Sequence, residues 1–179
     1  MANEIIVSGF GGQGVLAIGK MIAQAGLQEG KEISWLPSYG AEMRGGTANC
    51  SVVVSEEPII SPLVLEPTEL IVMNKPSLLK FEQSVIPGGT IFVNSSIVEI
   101  PVSRTDVDIV NLPCLDMAIE LGNAKVANMV MLGAYVEKTG LVKLETIKTL
   151  VAHMFEGKKP EVLTMNVKAL EAGAAFVRR

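Results

Sequence analysis

The apolar run at residues 4–8 (EIIVS) leads directly into Gly9-Phe10-Gly11-Gly12-Gln13-Gly14, and no other feature constrains the fold as strongly. Gly9, Gly11 and Gly14 satisfy G-x-G-x-x-G, the turn by which a buried strand passes into a helix. Helical spacing follows at once, since Val15, Ile18, Gly19, Ile22, Ala23 and Gly26 share one face. Gly30 suits the C′ position that closes such a helix. Residues 31–36 (KEISWL) then read as a second strand, ended by Pro37. The unit is β-α-β, and its crossover is expected to be right-handed.

The pattern continues with strands expected at 48–55, 69–73, 90–94 and 107–111, and a short helix at 76–83. Pro58 and Pro62 break the stretch between the third and fourth strands into turns and a brief strand at 63–65. From Pro113 the chain turns helical, with helices at 113–121 and 124–138. A third is lined by Leu144, Ile147, Leu150, Val151 and Met154. A fourth, opened by Pro160, is lined by Leu163, Val167, Leu170, Ala174 and Val177. Residues 1–179 are expected to form one α/β domain, Rossmann-like and doubly wound. Its sheet is mainly parallel and its C-terminal portion helical.

What the glycine turn serves depends on the rest of the chain. Hydrophobic residues make up 49% and charged residues only 19%, so the chain either has a very large aliphatic core or hides apolar surface against a partner. A permanent partner is expected, or pairing of the chain with itself when isolated. The formal charge of −4 and the scattered basic residues exclude a nucleic-acid footprint. No apolar run approaches the ~18 residues of a membrane span, and the N-terminal stretch carries an acid before its apolar run. A soluble, cytoplasmic protein is the expectation. Cys50 and Cys114, far apart and without C-x-x-C spacing, are expected as free buried thiols and are too few for a cluster.

A dinucleotide site adds an acid at the end of the second strand to hold the adenine ribose. Ser38 and Tyr39 stand there instead, while Glu29 and Glu32 lie at the wrong end. The glycine turn nevertheless leaves amides from Gly11 through Gly14 at a helix N-terminus, where an anion is favoured. A second loop, "SYGAEMRGG" at 38–46, sets Ser38, Tyr39, Glu42, Arg44, Gly45 and Gly46 beside that turn. Arg44 offers a planar fork for a phosphate or carboxylate. An internal Glu42–Arg44 contact that merely shapes the loop is the alternative. Asn128, within the apolar helix "VANMVMLGAYV", needs a hydrogen-bond partner if buried and reads as structural or interfacial. His153, the only histidine, reads as surface or filler.

Three stretches, "GFGGQG", "PSYGAEMRGGTANCSVVVS" and "NMVMLGA", together resemble the gamma subunit or gamma domain of the 2-oxoacid:ferredoxin oxidoreductases over essentially the full length. The second stretch is most similar to the 2-oxoglutarate and branched-chain types, with the pyruvate type also in the family. The resemblance implies a part in the oxidative decarboxylation of a 2-oxoacid to its acyl-CoA, with reduction of ferredoxin. It implies alpha and beta subunits holding thiamine diphosphate and magnesium, and a ferredoxin-like delta subunit with 4Fe–4S clusters. The chain itself has no G-D-G signature for magnesium and diphosphate, and no catalytic residue or metal ligand is assigned to it. The isolated chain is therefore expected to be inactive. Carried over to this sequence, the site residues are Gly9, Gly11, Gly12, Gln13, Gly14, Ser38, Tyr39, Glu42, Arg44, Gly45, Gly46 and Asn128. They would complete the cleft of the thiamine subunits, with coenzyme A as the cofactor within reach. A stand-alone NAD(P)-binding oxidoreductase and a non-enzymatic scaffold are the competing readings.

Overall fold

The computed structural model describes residues 2–39 and 46–178. Its elements run β1 (Asn3–Phe10), α1 (Val15–Gln28), β2 (Glu32–Tyr39), β3 (Thr47–Ser55), β4 (Glu69–Val72) and α2 (Lys75–Phe81). They continue β5 (Thr90–Asn94), β6 (Asp108–Leu112), α3 (Cys114–Glu120), α4 (Ala127–Thr139), α5 (Leu144–Met154) and α6 (Pro160–Val177). The six strands lie in the order β2-β3-β1-β4-β5-β6. β1, β4, β5 and β6 pair in parallel, while β3 runs antiparallel to both β1 and β2. β1 and β2 therefore point the same way with β3 inserted between them. The β1-α1-β2 crossover spans two strand spacings, about 10 Å.

Two expectations about strands change. β2 does not stop at Pro37 but runs through it to Tyr39. As an edge strand it pairs with β3 alone, so a residue without an N–H is tolerated there. Residues 63–65 form no strand. Pro62 and Pro67 flank that stretch and carry no N–H, so a ladder could not extend past it at either end.

Both faces of the sheet are covered, but unequally. On one side α1 and α3 to α6 bury Ile5, Val7, Val52, Ile71, Phe92 and Leu112 in the larger cluster. On the other, Ile6, Val53, Leu70, Val72, Ile91 and Val93 meet Leu78 of α2 and the buried loop residues Val64, Val85 and Val98, with half-buried Phe81 and loop side chains around them. The strands read as continuous apolar runs because both of their faces are buried. The expected helical portion is thus the main covering layer and not an appendage. No helix among the described residues is long and apolar enough to cross a membrane.

α4 lies deepest, with every residue from Met129 to Val136 buried. Tyr135 packs edge-on against Phe92 of β5, centroids 5.3 Å apart at 62°. Such a pair adds about 0.5–1.5 kcal/mol beyond its area. On its outer side α4 meets α6 at two glycines, where a Cβ on Gly133 would strike the Leu170 carbonyl and one on Gly173 the Val130 carbonyl. This contact rotates the buried face of α6 from the expected one. Asn166, Ala169, Leu170, Gly173 and Ala174 turn inward, while Leu163, Val167 and Val177 are only half-buried. Small residues win that face because close helix approach, not side-chain bulk, fills the gap.

Candidate functional site at the carboxyl rim of the sheet

β1 ends at Phe10 in the middle of the sheet, so the glycine turn emerges at the carboxyl rim, where open α/β sheets form their crevice. The turn is held by its own side chain. Gln13 accepts from the Phe10 N–H through Oε1 at 2.6 Å and donates from Nε2 to the Met73 carbonyl at 2.9 Å. The Gln13 N–H donates to the Phe10 carbonyl at 3.1 Å, and the Gly11 N–H to the Gly46 carbonyl at 2.9 Å. One glutamine thus ties the exit of β1 to the end of β4.

These bonds correct the expected wall of outward amides. Two of the four donors, those of Gly11 and Gln13, are spent inside the protein. Gly12, at φ +94 with open space where a Cβ would be, presents its backbone outward. Gly14 is the N-cap of α1 in the left-handed region, φ +75, and caps the helix with no side-chain hydrogen bond. The first-turn donors of α1 remain without a side-chain cap.

A G-x-G-x-x-G fingerprint gives its third glycine, here Gly14, the close packing of helix on sheet, but the glycines divide their roles differently. A Cβ on Gly9 would lie 2.8 Å from both Val15 Cγ1 and Met73 Cβ, so Gly9 provides the close packing of strand exit on helix. The room opened by Gly14 is taken by Asn128, whose Cγ would stand 2.8 Å from a Cβ there. Two of the stretches that carry the family resemblance, 114 residues apart in sequence, therefore meet at one point of the rim. Gly46, in the third, joins them through its carbonyl.

The remaining predicted residues separate into two groups. Ser38 is exposed on β2, in register with Asn49 of β3 and, through it, with Ser8 of β1. Tyr39 is aligned through Ala48 with Gly9. Both stand at the rim, two strands from the glycine turn. Glu42, Arg44 and Gly45 lie outside the described residues. Cys50 and Cys114 are fully buried, and burial pushes the Cys50 thiol up to about 12 and that of Cys114 up as well. Neither is a thiolate ligand as it stands. His153 is on the surface, its side chain 70% exposed.

Two asparagines at this rim escaped the sequence reading. Asn74 follows β4 and caps α2, accepting from the Ser77 N–H, while its buried Nδ2 has no partner among the described residues. Asn94 ends β5 with neither side-chain polar atom paired among the described residues. Beneath them the Ser8 and Ser77 hydroxyls share a buried bond of 2.7 Å. The signal was present, since "ELIVMN" and "TIFVN" both pass from an apolar strand to asparagine. Buried amide groups left unpaired are costly, which makes these two asparagines unusual for a packed rim.

Comparison with known proteins gives this rim a context. A family model described as "Pyruvate ferredoxin/flavodoxin oxidoreductase" matches residues 4–176. The "Ketoisovalerate oxidoreductase subunit VorA" of Methanothermobacter thermautotrophicus is 41% identical over 177 residues. That match takes in 98% of this chain but only 36% of the relative, so the chain spans about a third of the relative's length. Among solved structures, a keto/oxoacid ferredoxin oxidoreductase gamma subunit from Geobacter sulfurreducens superposes with TM-score 0.82 at 28% identity, over 98% of both chains. A 2-oxoglutarate:ferredoxin oxidoreductase from Magnetococcus marinus, with 2-oxoglutarate, coenzyme A and succinyl-CoA bound, gives TM-score 0.92 at 26% identity. There the match covers 99% of this chain and 31% of the other.

Proposed function

The chain belongs to the pyruvate ferredoxin/flavodoxin oxidoreductase family, and we propose that it is the gamma component, a single domain, of a cytoplasmic 2-oxoacid:ferredoxin oxidoreductase. Its partners in this reading are thiamine-diphosphate alpha and beta subunits and a ferredoxin-like delta subunit. The assembly oxidatively decarboxylates a 2-oxoacid of the branched-chain or 2-oxoglutarate type to its acyl-CoA and passes the electrons to ferredoxin. This chain completes the wall of the cleft in which the partners' groups react.

The observation that carries the reading is the convergence of Gly14, Asn128 and Gly46 on the turn that Gln13 fastens to β4. The shape of this wall is set from within, by the bonds of Gln13 to Phe10 and Met73 and of Gly11 to Gly46. The fit of individual groups to the chain is selective. Gly12 and the uncapped first turn of α1 suit one anionic oxygen of a coenzyme A phosphate or of a partner carboxylate. Coenzyme A would supply the thiol that takes the acyl group, and the chain's share is to orient its phosphates and exclude water. Iron–sulfur clusters do not fit, since two buried cysteines are too few to ligate one.

The test is reconstitution with the partner subunits, following 2-oxoacid-dependent dye reduction. Activity that needs this chain is the expected result, and full activity without it refutes the reading. Arg44→Ala is expected to weaken assembly or turnover with the apparent KM for coenzyme A unchanged. A KM raised several-fold would instead assign Arg44 to coenzyme A itself.

A further inference from the structure

We propose that residues 58–66, at the amino end of the sheet, form a docking surface for a different polypeptide whose apolar face is edged by lysine or arginine. The proposal rests on the reading of the chain as one component of an assembly and adds which surface is held and by what chemistry.

The segment links β3 to β4 and is anchored from below, with Val64 buried and Ile59 packed against the smaller core cluster. Its other large side chains point away from the protein. Ile60 is 101% exposed, Leu65 77% and Leu63 61%, all within six residues. Leu27, Leu79 and Ile119 are also exposed, but each stands on a separate helix, as single surface hydrophobes ordinarily do. Three together form a patch, and a patch of that kind marks a contact surface. Pro58 and Pro62 remove backbone donors along the segment, which disfavours strand addition and leaves side chains as the surface to recognise.

Two hollows, of ≈ 380 and ≈ 300 Å³, flank Leu63. Glu4 borders both, Glu66 the first and Glu57 the second, and among the described residues no lysine or arginine lines either. The rim thus carries one sign of charge. A second copy of the chain would bring these carboxylates face to face, and an anionic lipid surface would be repelled in the same way. A basic-edged apolar face complements the patch in both respects. The location matters too. Thr68 and Glu4 join the starts of β4 and β1 at 2.7 Å, so the patch lies at the end of the sheet opposite the glycine turn. The chain is then held at one end and faces the cleft with the other.

The experiment uses the complex purified through a tag on the full chain. Hydrogen exchange of residues 58–66 is expected to slow at least ~10-fold in the complex relative to the free chain. The triple variant Ile60→Ser, Leu63→Ser, Leu65→Ser should keep the wild-type circular dichroism and Tm yet enter the complex ~10-fold or more weakly. Glu57→Lys with Glu66→Lys should weaken assembly without unfolding the chain. The inference is overturned if 58–66 exchange equally fast in both states, or if the serine variant assembles like wild type. It also falls if a photo-crosslinker at position 63 captures only copies of this chain, or if the free chain floats with vesicles through this patch. A wild-type chain that brings down no oxidoreductase subunits defeats the proposed function and this inference together. A normal complex with an unprotected segment defeats this inference alone.

Discussion

The two ends of the sheet are built on opposite principles. At the carboxyl end the turn is tied down from within, with Gln13 bonded to both Phe10 and Met73, Gly11 to Gly46, and Asn128 filling the place of a Gly14 side chain. At the amino end Ile60 stands fully clear of the surface, and Leu63 and Leu65 leave most of their side chains uncovered. The first region is specified by the fold, and changes there act on folding and on the shape of the rim. The second costs the isolated chain little to alter, so whatever fixes its sequence acts from outside the molecule. Fold and assembly are therefore encoded at opposite ends, and substitutions can separate them.

The largest effect is expected at Gly14. Valine there meets a left-handed backbone at φ +75 as well as the Asn128 side chain. Strain of about 1–3 kcal/mol and overpacking of similar size bring the loss for Gly14→Val to about 3 kcal/mol in urea unfolding. Gly12→Ala sharpens the contrast, since φ is +94 but no atom lies within 4 Å, leaving strain alone at about 1 kcal/mol. Pairing Gly14→Ala with Asn128→Ala should show a coupling of about 1 kcal/mol, because the second change removes part of the clash. Strict additivity would mean that the two stretches do not meet as described.

A smaller effect belongs to the amino end, at the buried carboxyl of Glu69. It accepts from Asn3 Nδ2 at 2.8 Å and from the Thr68 hydroxyl at 2.6 Å. Burial raises its pKa above the ordinary 4.5 despite these two bonds. The folded state therefore holds this proton to higher pH than the unfolded chain does. Its contribution to stability is complete below pH 4.5 and is lost as the pH climbs through the raised value. Glu69→Gln removes that dependence, so its stability relative to wild type should improve from acid to neutral pH. Parallel denaturation curves for the two proteins across that range would show the pKa to be unshifted.

How far the sequence disclosed these two ends follows from which forces act locally. Period and glycine placement located β1 and α1, the apolar runs of β4 and β5, and the opening of α6 at Pro160, because each depends on neighbours within a few residues. The insertion of β3 between β1 and β2 was not legible, since an antiparallel partner is chosen by the whole sheet. Nor was the passage of β2 through Pro37, which requires knowing that β2 is an edge. At the site, the glycine turn and Asn128 were both marked, but their meeting was hidden by the 114 residues between Gly14 and Asn128. The fingerprint assigned Gly14 to helix–sheet packing, a role that the atoms give to Gly9. Asn74 and Asn94 were passed over because asparagine after a strand ordinarily signals a turn, and only burial distinguishes theirs.

The smallest effect is the sharpest test of the comparison. Ile60 is as exposed in the folded chain as in an extended one, so Ile60→Ser removes no folded contact and no buried area. Its effect on the stability of the isolated chain should lie within about 0.5 kcal/mol of zero. Val64, four residues on and 8% exposed, faces the opposite way into the core. Serine there leaves a void and buries a hydroxyl, at a cost of about 2 kcal/mol or more. The pair thus brackets the segment, with one side chain belonging to the fold and the other to an assembly. A loss above ~1 kcal/mol for Ile60→Ser would exceed what surface substitutions ordinarily cost. It would give Ile60 a partner within its own chain, and the amino end would then be specified by the fold, as the carboxyl end is.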